Sequence, residues 1–229
     1  MKINISNDKI YKIGNPRYDR ILNNLENVEY KLDPSIKDEG NILIFASMWD
    51  EDNKIIFEKF INSPLVNHFE KVIIVPHEVN DYYLNYYCSV LEDNDFSFKK
   101  INQYQNFNQF EEKYIIVNKV GFLSKLYAQS TITYVGGGFS KSGIHNIIEP
   151  AAASNPVIFG SNFLNSNKFD AEGLIDVSGG FSVDSYELFT EKINWLLDKN
   201  NYNNSSKNCK SFVSENSGST EKILKELYE

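Results

Sequence analysis

Short apolar runs alternate along the chain with longer stretches that mix hydrophobic and polar positions. Asn41–Ser47 (NILIFAS), Lys71–Pro76 (KVIIVP), Lys113–Asn118 (KYIIVN), Thr131–Gly136 (TITYVG) and Asn155–Gly160 (NPVIFG) are almost continuously apolar and rich in β-branched residues. Uninterrupted runs of this kind suit strands covered on both faces of a parallel sheet. Between them, residues 50–62, 80–92, 122–128, 144–153 and 168–173 carry helix-like spacing. Residues 185–200 form the clearest amphipathic helix. The tail 202–229 is predicted helical with a break near SENSGST, where Ser219 or Thr220 would cap a last helix. Strand and helix in alternation predict right-handed βαβ units and an α/β fold, a Rossmann-like doubly wound parallel sheet.

In such sheets ligands bind at the carboxyl ends of the strands, near the point where strand order reverses. Any one loop there is also explained as an ordinary strand-to-helix turn, but the loop GGGFSKSGIHN asks for more. Each glycine weakens a strand or helix by about 0.5–1 kcal/mol relative to alanine, so three in a row imply that something approaches bare backbone. Glycines followed by a helix start predict an anion site, where free N–H groups and the helix dipole favour negative charge. The pattern is neither GxGxxG nor GxxxxGK[ST], so neither a dinucleotide fingerprint nor a P-loop is supported. Lys141, within the loop, either adds charge or is solvated. Glu149 lies three residues after Asn146, which puts both on one side of a helix, and Pro150 places Glu149 at a helix start or kink. A carboxylate there accepts both hydroxyls of a ribose; a capping or salt-bridging role is the alternative. An anion site with a diol acceptor beside it spells a nucleotide.

The remaining composition narrows the class. The chain has 229 residues, enough for one large domain or two small ones, and its net charge of −8 argues against a nucleic-acid or membrane-surface binder. Cys88 and Cys209 lack metal-ligand spacing and read as free thiols. The amino terminus lacks a signal-peptide core and no 18-residue apolar run occurs, so the chain reads as soluble. Glu92–Asp95 reads as a solvated helix end rather than a metal site, and Asp50–Asp52 as the acidic first turn of a helix. The tyrosines at 82, 83, 86 and 87 read as core and rim of one amphipathic helix.

The segments GNPRYDR, PHE, VGFLSKLYAQSTITYVGGGFSKSGIHNIIEPAAASNPVIFG and NKFDAEGLI together resemble the C-terminal half of the bacterial 3-deoxy-D-manno-octulosonic acid (Kdo) transferases, which are GT-B glycosyltransferases. The resemblance runs from about Ile13 to the end. It implies a linker or leader over 1–12 and a Rossmann-like donor-binding domain over 13–229, with C-terminal helices from about 185. It also implies an inverting transfer of Kdo from CMP-Kdo to a lipid A precursor in lipopolysaccharide biosynthesis, without metal or cofactor, at the cytoplasmic side of the inner membrane.

Carried over residue by residue, the resemblance assigns Glu149 to the ribose. Gly136, Gly137, Gly138, Phe139, Gly143, His145 and Asn146 go to the phosphate and sugar. Gly121, Phe122 and Leu123 approach the cytosine, mainly through backbone. Ser47 and Trp49 stand where the family often has Ser-Thr-Trp, with Met48 replacing the middle hydroxyl. Lys168 and Glu172 fall on the sugar-side loop. His77 stands in a loop where many members carry an arginine, so His77, Lys141 or Lys168 would replace its phosphate contact. A family chain is about twice as long, and the half not represented here supplies the acceptor face and the catalytic carboxylate. The expectation is therefore half an enzyme, binding CMP-Kdo without a catalytic residue of its own. The other readings are the donor domain of a GT-B enzyme using a UDP- or GDP-sugar, and a non-catalytic α/β interaction module; nucleotide binding separates the latter from the enzymes.

Overall fold

The computed structural model describes residues 10–30, 41–121, 123–163 and 167–228. Its centre is a parallel sheet of seven strands: β1 (Asn41–Met48), β2 (Phe69–Pro76), β3 (Phe98–Ile101), β4 (Tyr114–Val117), β5 (Ile132–Val135), β6 (Val157–Gly160) and β7 (Gly180–Val183). In the order β3-β4-β2-β1-β5-β6-β7 the chain passes from β1 to β2, then to the edge strand β3 and back to β4 between them, before crossing to β5 on the other side of β1. The sheet is doubly wound as expected, and its order reverses between β1 and β5, where the carboxyl ends of the strands leave a crevice.

All five predicted strands are present; β3 and β7 were not predicted. In β3 the central Lys99 and Lys100 are exposed, and β7 opens on Gly180 with Phe181 and Ser182 only partly covered. Both are edge strands, with partners on one side only, and neither needs the apolar run that coverage of both faces imposes.

The helices are α1 (Arg17–Glu26), α2 (Asp50–Asp52), α3 (Glu58–Ile61), α4 (Asp81–Glu92), α5 (Leu123–Leu126), α6 (Ile148–Ala152), α7 (Lys168–Asp176), α8 (Tyr186–Leu196), α9 (Lys199–Glu215) and α10 (Ser219–Tyr228). A π-helical turn, Asn53–Phe57, joins α2 to α3, and a 3-10 turn, Tyr127–Gln129, extends α5. The helix expected over 185–200 is two helices. Asp198 interrupts it by accepting the N–H groups of Asn200 and Asn201, both at 3.0 Å, and so starts α9. Nor is α10 capped by its own Ser219 or Thr220. Asp19, on α1, accepts from the N–H of Gly218 and from the N–H and hydroxyl of Thr220, each of the latter two at 2.9 Å. The helix α1 was not predicted; only Tyr18 and Ile21 of its ten residues are fully buried, too few for a clear period.

Alternation along β1 supplies both faces of the core. Leu43 and Phe45 face one helical layer, with Phe57, Phe60, Tyr134 and Phe189 gathered round the Phe45 ring at centroid distances of 5.2–6.3 Å. Ile42 and Ile44 face the other, with Ile73, Ile115 and Tyr127. Each such burial contributes about 1.5–3 kcal/mol relative to exposure. Both cysteines are free and buried. Among the described residues no helix is long and apolar enough to cross a membrane.

Candidate functional site

The reversal point brings the loops after β1, β2 and β5 together. The first leaves its strand through Ser47, a non-glycine residue in the left-handed region (φ 54°). That conformation costs about 1–3 kcal/mol and persists only when its surroundings hold it. The register against β2 shifts at this point, between Ala46 and Met48, and the Met48 carbonyl accepts the His77 N–H at 3.0 Å.

The glycine loop faces these residues, and here the structure corrects an expectation. No helix follows the triplet directly; α6 begins only at Ile148 and is five residues long. The N–H of Gly136 donates to Ala46 O at 2.8 Å, and that of Gly137 to Asp52 Oδ2 at 2.8 Å, so neither is free for an anion. A side chain at Gly136 would strike the Ser47 carbonyl, and one at Gly138 would lie 2.5 Å from the Gly160 backbone. Gly137 (φ 94°) packs against the carbonyl of Gly143, itself left-handed at 79°. What approaches the bare backbone is other backbone, from the ends of β1 and β6 and from Gly143 of the same loop.

Asp52 fastens this crossing. Its side chain is fully buried and accepts from Gly137 N–H (2.8 Å), Trp49 N–H (3.1 Å) and the Tyr134 hydroxyl (2.7 Å). Burial pushes its carboxyl above the ordinary value against the pull of those three bonds. Asp52 lies in a first helical turn as its acidic neighbours predict, but no local pattern encodes what it binds.

Trp49, His77 and His145 form an aromatic group over the crevice. Trp49 stacks on His77 with centroids 3.9 Å apart, and the two histidine rings are 4.6 Å apart. The indole N–H donates to His145 Nε2 at 2.8 Å, which puts the ring proton of neutral His145 on Nδ1. Burial lowers both histidines below their ordinary value, and the proximity of His77 lowers His145 further.

Glu149 and Asn146 are also brought together, by a route other than the one expected. Asn146 precedes α6 rather than sharing it: its Oδ1 accepts the Ile148 N–H (3.0 Å), while its Nδ2 donates to Glu149 Oε1 (2.7 Å). Arg17 completes the group from α1. One guanidinium nitrogen donates to Asn146 Oδ1 and another pairs with Asp170 Oδ2 at 3.1 Å. The second Asp170 oxygen accepts from the Tyr18 hydroxyl at 2.6 Å. Burial pushes the half-buried Glu149 carboxyl up, opposed by the Asn146 hydrogen bond and by the charges of Arg17 and Arg20. Glu149 and Ser124 also border a small cavity against Ile21, Leu25 and Val28.

Other expected residues have different surroundings. Gly121 (φ 98°) lies exposed in the loop after β4; Phe122 falls outside the described residues; Leu123 packs against the core. Phe139 is half-buried on the apolar layer around Phe45. Lys168 and Glu172 pair with each other at 3.8 Å, both largely exposed. Among the residues α7 turns inward, Asp170 is buried with Ala171 and Leu174, a helical spacing legible in the sequence. Arg17 and Tyr18, within GNPRYDR, carry no local pattern that marks them as site residues. Among the described residues no group of three His, Cys, Asp or Glu is placed to hold a metal ion.

No family model matches the chain. A bifunctional glycosyltransferase/methyltransferase of Fusobacterium nucleatum is 29% identical over 214 residues, covering 91% of this chain and 32% of that protein. The 3-deoxy-D-manno-octulosonic acid transferase of Chlamydia trachomatis serovar D is 27% identical over 235 residues, covering 98% of this chain and 52% of the transferase. Among solved structures, the C-terminal CMP-Kdo binding domain of WaaA from Acinetobacter baumannii superposes with a TM-score of 0.63 at 15% identity, over 86% of this chain and 98% of that domain. The chain thus resembles Kdo transferases over nearly its whole length and has the fold of one half of a GT-B glycosyltransferase. It spans about half the length of the transferase relative and a third of the bifunctional one.

Proposed function

We propose that this chain is the donor-binding half of a Kdo transferase, binding CMP-Kdo so that the whole protein transfers Kdo to a lipid A precursor. The observation that carries the reading is the half-buried Glu149 carboxylate, held by Asn146 and flanked by arginines. A carboxylate accepts through two oxygens, which suits the adjacent hydroxyls of a ribose. Asn146 occupies one lone pair of Oε1 and leaves the others for the sugar.

The remaining roles follow from chemistry. The bond to be broken joins an anomeric carbon to a single phosphate, and the work of this half is to hold CMP and take up the charge that develops on it. Neutral His77 and His145 suit, as hydrogen-bond donors, the singly charged phosphodiester of the donor and the phosphate monoester that leaves as CMP. With its Nε2 engaged by Trp49, His145 offers the Nδ1–H. Gly121, Phe122 and Leu123 are assigned to the cytosine, and Lys168 with Glu172 to the sugar side. No metal or other cofactor is invoked. The general base that deprotonates the acceptor hydroxyl is assigned to the other half of the enzyme, at the cytoplasmic face of the inner membrane. Inversion follows from a single displacement.

Calorimetric titration with CMP, with UMP, UDP and GDP as controls and EDTA present, tests the reading. CMP-selective binding is expected. Preference for UDP or GDP, or no binding of any of the four, overturns it.

A further inference from the structure

Arg17 belongs to none of the loops that face the crevice, yet its guanidinium reaches the residue that holds Glu149. The geometry is directional. Asn146 has one oxygen and one nitrogen at its tip, and only one of its two flipped states serves this site. With Oδ1 toward Arg17 and Ile148 N–H, the amide nitrogen points at Glu149 Oε1. The reverse state would set Nδ2 against two donors and Oδ1 against a carboxylate. Arg17 is itself held by Asp170, whose other oxygen is bound by Tyr18, so the fork has a fixed base on α7. Its side chain is still 29% exposed, so its place is not accounted for by core packing alone.

We infer that Arg17 is a positioning residue for nucleotide binding: by fixing the Asn146 amide it aims the Glu149 carboxylate at the ribose diol and so sets the preference for ribose over deoxyribose. The inference rests on the donor-site reading of Glu149 given above. A site built around a hydroxyl rejects the analogue lacking it, provided the acceptor is held in place. The groups that bear on the Glu149 charge are Arg17 and Arg20 from α1, Asn146, and the buried Tyr127 after α5; Asp170 from α7 faces Arg17. Removing Arg17 takes away a cation and one of the two donors that hold Asn146 Oδ1, leaving only the Ile148 N–H, and both changes disfavour the ionised carboxylate.

The test pairs two readouts on the chain as it stands. The first is titration of the Glu149 side-chain carboxyl by carbon-detected NMR, without ligand, in the unsubstituted chain, Arg17→Met and Arg17→Lys. Arg17→Met is expected to raise the midpoint. Arg17→Lys, which keeps the charge but loses the fork, is expected to restore most of it. The second is the ratio of CMP to 2′-deoxy-CMP affinity, expected to fall about tenfold in both variants because both lose the guanidinium fork that joins Asn146 to Asp170. Thermal unfolding of the same samples records what is lost through the Asp170 anchor alone. A Glu149 midpoint unmoved in Arg17→Met overturns the inference whatever the nucleotides do, as does an unchanged CMP preference in Arg17→Lys. An unsubstituted chain that shows no preference for CMP over its deoxy analogue defeats the diol reading of Glu149, and the claim about ribose falls with it. In that case the carboxyl titration still reports whether Arg17 governs Glu149.

Discussion

Two regions at and after β5, the glycine wall and the wall around Glu149, are built in opposite ways. On the glycine wall, residues 131–138 are all buried, the N–H groups of Gly136 and Gly137 are bonded within the protein, and each glycine stands where another stretch of backbone passes. On the other wall, Arg17, Asn146 and Glu149 are polar, linked to one another and only partly covered. Bare backbone after a strand has two causes, the approach of a ligand or the approach of another loop, and the same glycines serve either. A half-buried carboxylate is less ambiguous. Its desolvation works against the fold, which points to a gain elsewhere.

The contrast is open to attack at several points. The largest effect is expected from Gly138→Val, whose new side chain meets the Gly160 backbone rather than a movable group. A loss of about 3 kcal/mol is expected, lowering the melting temperature by roughly 6–12 °C in thermal denaturation. A variant that melts normally but no longer binds CMP would show that the glycine wall serves the ligand and erase the distinction. Next, Glu149→Ala should weaken CMP binding by about 1–3 kcal/mol in calorimetry, the cost of ribose hydroxyls left without an acceptor. Equal affinity of the unsubstituted chain for CMP and 2′,3′-dideoxy-CMP would remove the reason to expect that loss.

Glu149→Gln sharpens the comparison through pH. The folded carboxyl titrates above its unfolded value, so the folded chain holds more protons than the unfolded one in the window between them. The contribution of Glu149 to stability therefore falls as pH rises from the ordinary carboxylate range through the raised folded value. Urea denaturation is expected to show that Glu149→Gln matches the unsubstituted chain at the acid end and is relatively more stable at neutral pH. CMP binding, which uses the ionised form, is expected to weaken as pH falls through the same raised value. A glutamine variant that is less stable at pH 7 would make Glu149 a structural residue. The smallest effect is reserved for Lys168→Ala. Its exposed pair with Glu172 is worth under about 0.5 kcal/mol, so denaturation should scarcely register it. Any loss of CMP-Kdo affinity without loss of CMP affinity would then report a contact with the sugar.

The α/β class, the five inner strands and the proximity of Asn146 to Glu149 were legible because their signals are local. β-Branched apolar runs declare strands covered on both faces, and two residues three apart meet by turn or helix alike. The edges β3 and β7 were not legible, since an edge strand need not carry the pattern of a central one. Nor was the composition of the crevice. Arg17 meets Asp170 across 153 positions, Trp49 meets His145 across 96, and Asp52 meets Gly137 across 85. No period in a sequence encodes such pairs. They arise because the reversal of strand order sets the turns after β1 and β5 side by side, and because α1 packs back over α6 from the start of the chain. Spacing along the chain decides which residues share a face, whereas the order of the sheet decides which faces meet.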